Sequence, residues 1–331
     1  MAVSIKDIQK LREMTGAGLA DCKKALEESN GEIDPAIEII RKKGQAVAAK
    51  RSDREASEGC VLVKVDGNFA AILALKCETD FVANNADFVK LTQDIIDAAV
   101  AARCKTLDEV KALPMGEATV QDAVVARSGI TGEKMELDGY SVIEGECIAT
   151  YDHQNKHTLC TMVALNKCVE DAIVGKNVAM QVASANPVAV DQSAVPQETI
   201  DSELRVAVEK TKEEQIAKAV EAAIRKAGVN PAHVDSDDHI ESNMAKGWIT
   251  QEQADMVREI KVKVAAEKAA NLPEQMIQNI AQGRLKKFFK ENCLLEQEYI
   301  WDKNMTVAQY LQSIDKELTV TAFKRFTLRA E

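Results

Sequence analysis

The sequence predicts an α+β fold: a three-helix module at the N-terminus, a two-half core of antiparallel sheets with helices, and an inserted long helical hairpin. Three observations predict it. Short helical patterns fill the first 50 residues, the period switches to two after Gly59, and long helical patterns run from about Val195 to Gln282. A hairpin followed by a helix occurs twice, the order expected of two related halves packed side by side. The length, 331 residues, also suits two or three domains rather than one.

The first helix opens at Ser4, with Asp7 three residues on in the manner of a capping box, and sets Ile5, Ile8 and Leu11 on one face. TGAG, Thr15 to Gly18, breaks it, because glycine takes the left-handed conformation that helix ends use. LADCKKALEES is the second helix, closed by Asn30-Gly31. Asp34-Pro35 opens the third as N-cap and first helical residue, Ile37 and Ile40 face inward, and Gly44 ends it. So small a unit suits docking better than catalysis. Ala46 to Gly59 reads as a linker or helical spacer.

CVLVKV, the turn Asp66-Gly67-Asn68 and FAAILALKC form a hairpin signal. The helix after it carries Phe88, Leu91, Ile95 and Ala99 on one face. A short helix spans Thr119 to Arg127, stopped by Gly129. GECIATY, the polar turn DHQNK and HTLCTMVAL make the second hairpin, and DAIVGKNVAMQVASAN its helix. One apolar stripe runs through Ile200, Leu204, Val208, Ile216, Val220 and Ile224, another through Met256, Ile260 and Val264. With the polar loop GVNPAHVDSDDHIESN between them they form an antiparallel helical hairpin. Asn271-Leu272-Pro273 breaks it, a helix runs on to Phe289, TVAQYLQSI is a short helix, and TVTAFKRFTLRA is a strand that completes a sheet. The expected domains are 1–55, 56–140 and 141–194 (the two core halves), 195–274 (the insertion) and 275–331 (the return).

The composition, 46% hydrophobic and 29% charged, is that of a soluble globular chain. Its net charge of −11 does not suit a protein that grips nucleic acid through phosphates. The first residues lack the pattern of a signal peptide, and no apolar run is long enough to span a membrane. Eight cysteines lie scattered in apolar segments without a CxxC pair. They read as buried free thiols in a reducing cytosol, not as a disulfide framework, so a cytoplasmic location is expected.

No phosphate-binding GxxxxGK[ST], dinucleotide GxGxxG, GxSxG or HExxH occurs. His153 and His157, with Cys160 nearby, have residue types that bind metal or do thiol chemistry, but they sit in a hairpin turn where a spacing of four does not bring side chains together. A polar turn is the better reading. His233 and His239 read as solvated loop residues. LKCETDFVANN, Leu75 to Asn85, sets Phe81, one of seven phenylalanines, between a strand and a helix. The aromatic could staple the helix and Asp80 could cap it, or the ring could face a partner.

LREMTGAGLADCKKAL, Leu11 to Leu26, and TDFVANN, Thr79 to Asn85, closely resemble the bacterial elongation factor Ts family. GRLKKFF, Gly283 to Phe289, resembles that family's return into its core. The likeness covers roughly residues 1–190 and 272–331. It implies a ubiquitin-associated-like N-terminal domain, a two-half core and a coiled-coil protrusion. It also implies guanine-nucleotide exchange on elongation factor Tu by differential binding, with no covalent chemistry and no cofactor. The family's magnesium-dislodging motif falls on Thr79, Asp80, Phe81 and Val82. Its docking positions fall on Leu19, Ala20 and Lys23, a basic contact on Arg51, and a contact to another GTPase domain on His153. Larger apolar residues often stand where this chain has Ala20.

The helical region 205–271 is longer than the family's common protrusion, which raises a homodimer or heterotetramer through it, or another partner, as an expectation. The chain also stops soon after its last strand, so the terminal-helix contact of some relatives is not carried over. Neither nucleic acid nor membrane is an expected partner. Two rival readings remain open: a non-catalytic helical adaptor using its N-terminal module, and a metal or thiol enzyme using His153, His157 and Cys160.

Overall fold

The structure is a computed structural model that describes residues 3–116 and 118–328. It is a mixture of helices and small antiparallel sheets, an α+β arrangement, in two compact units: residues 1–190 with 294–331, and residues 191–293.

The first unit opens with α1 (Ile5–Thr15), α2 (Leu19–Glu28) and α3 (Ile33–Lys50). The Ser4 hydroxyl accepts the Asp7 N–H, and Gly16, at φ 70°, ends α1. Leu11, Cys22, Leu26 and Ala36 form a shared core. Ile5 departs from the expected face; it is 75% exposed. α3 departs at both ends. Glu32, not Asp34, is its N-cap, and the helix passes through Gly44 to the C-cap at Arg51.

β1 (Glu58–Asp66) and β2 (Phe69–Cys77) form the first hairpin. The four-residue turn of helix α4 (Asp80–Ala83) and α5 (Ala86–Ala101) follow, then α6 (Leu107–Ala112) and the two-residue strands β3 (Pro114–Met115) and β4 (Ala118–Thr119). α7 runs over Val120–Thr131 and so contains Gly129; it ends at Gly132, φ 75°. Both glycines read as stops lie inside helices because α3 and α7 cross there. A Cβ on Gly129 would collide with the Gly44 backbone, and one on Gly44 would stand 3.3 Å from the Val125 carbonyl oxygen.

β5 (Met135–Glu144), which the periodicity did not single out, pairs with β2 from Cys77↔Met135 to Phe69↔Glu144. Its register shifts between Ile72 and Ala74, and its side chains are mostly half-buried, so the alternation is weak. The first sheet therefore has the order β1-β2-β5. β6 (Cys147–Asp152) and β7 (Leu159–Leu165) form the second hairpin, followed by α8 (Ile173–Ala185). The free cysteines 22, 60, 77, 104, 160 and 293 are buried, but Cys147 and Cys168 form a disulfide with a Cα–Cα separation of 5.1 Å. This corrects the expectation of free thiols throughout. The strand start and the loop after β7 bring together residues 21 apart in a way no local pattern announces.

The second unit holds α9 (Gln197–Lys226), α10 (Asp237–Ala245), α11 (Gln251–Ala270) and α12 (Glu274–Asn292). The loop expected between two long helices is itself folded. Ile224, Val229, Val234, Ile240, Ile249, Ala254 and Val257 make a core there, so the polar stretch carries α10 and His239 lies on that helix. The buried seam of α11 passes through Ala254 and Val257, leaving Met256 on the exposed side.

From Leu294 the chain continues in the first unit. β8 (Glu298–Tyr299) pairs with β9 (Asp302–Thr306), α13 covers Val307–Ile314, and β10 (Val320–Thr327) joins β7 to give the order β10-β7-β6. Alternation along β2 divides its apolar run. Phe69, Ala71, Leu73 and Leu75 pack with Phe88, Ile95 and Ala99 of α5. Ala70, Ile72 and Ala74 pack with Cys160, Met162 and Ala164 of the second sheet. A strand buried on both faces shows as a continuous hydrophobic run. Val163 and Leu165 face Val174, Val178 and Val182 of α8.

Candidate functional site

At the end of β2 the ladder stops with the pair Cys77↔Met135. Glu78 and Thr79 then turn the chain out of the sheet and into α4. Thr79, in extended conformation, is the N-cap of α4, and its hydroxyl accepts the Val82 N–H at 3.4 Å. Asn85 caps α5 by accepting the Asp87 N–H at 3.0 Å. Both caps are therefore made without Asp80, which lies exposed. Val82 is half-buried against the core under α5 and anchors the turn.

Phe81 is 86% exposed and joins none of the hydrophobic cores of the described residues. The stapling role considered for it is ruled out by this position. Burial of a phenylalanine ring away from water is favourable by several kcal/mol, and this ring forgoes that gain within its own chain.

Carboxylates fix the turn that carries it. Glu133, just after α7, accepts the Thr79 hydroxyl at 2.6 Å, the Thr79 N–H at 3.1 Å and the Glu78 N–H at 3.2 Å. Glu78 in return accepts the Lys134 N–H at 2.6 Å and Arg51 Nη1 at 3.0 Å to each oxygen. The Lys134 amide and the Arg51 guanidinium hold the Glu78 carboxyl below the ordinary glutamate range, against a smaller opposing effect of desolvation. Arg51 is thus engaged inside the chain, at the end of α3. Arg127 of α7 adds a bond to Asn85 Oδ1 at 2.7 Å.

The other expected contacts lie on separate surfaces. Leu19, Ala20 and Lys23 are exposed on α2, Leu19 by 49%, and Lys23 stands 3.8 Å from Glu27. His153 sits in the β6–β7 turn, where its Nδ1 is 3.0 Å from the Tyr151 hydroxyl and the two rings meet edge to face. No hydrogen bond or ion pair among the described residues joins these side chains to the Phe81 turn. His157 pairs instead with Asp152, Nδ1 to Oδ2 at 2.5 Å. Cys160 is buried, with Sγ 3.3 Å from the Val61 carbonyl oxygen, and burial pushes its thiol well up, the opposite of what a nucleophile needs. His153, His157 and Cys160 thus do not converge on one point. Among the described residues no group of three or more acids, histidines or cysteines is placed to hold a metal ion. No helix among them is long and apolar enough to cross a membrane.

Glu78 and Glu133 were not among the expected site residues. They are 55 positions apart, and no spacing rule links them.

The family model described as "Elongation factor TS" matches residues 78–228 and 206–330, beginning at Glu78 itself. The chain belongs to the elongation factor Ts family. It is 67% identical over 331 residues to an elongation factor Ts of Bacteroides fragilis and 66% identical to that of Phocaeicola vulgatus. To that of Porphyromonas gingivalis it is 44% identical over 332 residues. Each alignment covers all of both chains, so the stretch that forms residues 191–293 here has a counterpart in each of them. Membership puts the chain in the elongation stage of protein synthesis, as an exchange factor.

Proposed function

We propose that this chain is the guanine-nucleotide exchange factor for elongation factor Tu: it binds the GDP-bound GTPase, dislodges its magnesium ion and releases GDP so that GTP can enter. The observation that carries the reading is Phe81, an exposed ring on a turn held in place by neighbouring carboxylates. An exchange factor makes and breaks no covalent bond. It binds the emptied GTPase more tightly than the filled one, and nucleotide weakens the factor's grip by the same ratio.

The magnitude suffices. Burying a phenylalanine removes about 150–250 Å² from water, worth up to about 4–6 kcal/mol. If half of that is gained only when the nucleotide or its metal has left, the equilibrium shifts about a hundredfold. Thr79 and Val82 fix the turn, Phe81 is the wedge, and Asp80 is free to meet groups near the cation. Leu19, Ala20 and Lys23 on α2 and His153 in the second hairpin supply separate docking contacts, which bind filled and emptied GTPase alike.

Stopped-flow release of a fluorescent GDP analogue from elongation factor Tu tests this. Phe81→Ala is expected to slow stimulated release about a hundredfold while leaving the melting temperature of the free chain nearly unchanged. Unaltered release would overturn the reading.

A further inference from the structure

We propose that Glu133 and Glu78 are positioning residues for the Phe81 turn, and that Arg51 extends their brace to α3, so that the N-terminal module and the turn are held as one piece. The inference rests on the exchange reading above and adds to it the parts that keep the wedge stiff.

The brace continues the β2–β5 ladder by one step, in side chains instead of backbone. Beyond the last pair, Cys77↔Met135, the Glu78 and Thr79 N–H groups have no strand carbonyl opposite them. The Glu133 carboxylate takes both, together with the Thr79 hydroxyl. From the other side the Glu78 carboxylate takes the Lys134 N–H, one residue before β5 begins. Each chain end thus lends the other a carboxylate.

Arg51 ends α3, the last helix of the N-terminal module, and reaches Glu78 at 3.0 Å. A single acid therefore links α3, the end of β2 and the start of β5. Phe81 lies only two residues beyond Thr79. A ring that opens a pocket in another protein pushes back on its own turn, and a loosely held turn would yield in place of the pocket. Arg51 accordingly acts through Glu78 and not as a contact to the partner.

Amide hydrogen exchange on the free chain tests the brace without any partner. Glu133→Ala is expected to speed exchange of the Glu78 and Thr79 amides about tenfold or more, while the β1–β2 ladder keeps its protection. Glu133→Gln, whose amide oxygen can still accept both N–H groups, is expected to restore most of it. In stimulated GDP release, Glu133→Ala is expected to lower the maximal rate about tenfold and to change the half-saturating concentration by less than about threefold. Placed on Phe81→Ala, it is expected to slow release no further.

Protected amides in Glu133→Ala, or slowing that adds fully to that of Phe81→Ala, would overturn the brace. For its other arm, Arg51→Met is expected to slow release in the native chain but not in a Glu78→Gln background; equal slowing in both makes Arg51 a direct contact and overturns that arm. If Phe81→Ala leaves release untouched, the exchange reading fails, and the amide measurement still judges Glu133.

Discussion

Gly44 of α3 and Gly129 of α7 meet backbone to backbone: a Cβ on Gly129 would overlap the Gly44 Cα. Each glycine sits inside a helix, where it costs about 0.5–1 kcal/mol relative to alanine. The close crossing of the two helices offsets that cost and fastens the N-terminal module to the core.

Gly129→Ala is therefore expected to destabilise the chain, although alanine is the better helix former. The overlap is with backbone, which cannot turn aside, so a loss of about 1–3 kcal/mol is expected in urea unfolding. An unchanged or raised midpoint would show that α3 and α7 can separate without loss.

Phe81 is exposed while the six free cysteines are buried. A Phe81→Cys chain is expected to react with one equivalent of a maleimide within minutes under native conditions. The unsubstituted chain is expected to react with almost none. Burial pushes the Cys60 and Cys77 thiols up to about 12, which further removes them from reaction. Mass spectrometry of the labelled chains reads both outcomes.

Cys147 and Cys168 are joined and the other six cysteines are free. Denatured without reductant, the chain is expected to titrate six thiols, and eight after reduction. Eight in both conditions would refute the pairing.

Glu78 is held below its ordinary value of 4.5 by the Lys134 amide first and then by Arg51, with Arg54 contributing. A depressed folded value means that the unfolded chain binds the proton more readily. The stabilisation is present above about pH 4.5 and is lost as pH falls through the lower, folded value. Replacing Glu78 by Gln is expected to flatten the acid side of the stability profile, measured as urea midpoint between pH 3 and 6 (a window chosen about the ordinary glutamate value). An identical slope in both chains would show that Glu78 gains nothing on folding.

Much of the architecture was legible because it is written in local patterns. The run FAAILAL is continuous because β2 is covered on both faces, and the Ser4 cap stands at the start of its helix. Three things were not local. Glycine marks a helix end in one setting and a helix crossing in another, and only the presence of α7 beside α3 decides which. β5 carries Gly139 and half-buried side chains around a register shift, so its alternation fades. Glu78 and Glu133 look like any other acids in a chain with 53 of them, and their meaning appears only when β2 and β5 end side by side. For the turn itself, TDFVANN was legible as a motif, whereas the exposure of its ring was not, since an aromatic before a helix folds inward as readily as outward.

The unbroken course of α3 past Gly44 to Arg51 has a consequence for recognition. A module on a flexible tether searches a wide volume and adapts to targets of many spacings, and its second contact is diluted by that freedom. Here α3 runs to Arg51 and an ion pair ties its end to Glu78, so on the proposed reading little ordering is expected to remain when the second surface lands. On the proposed exchange reading the protein is expected to act as a caliper set to one width: a partner of matching span gains both contacts together, and a partner of any other span gains one.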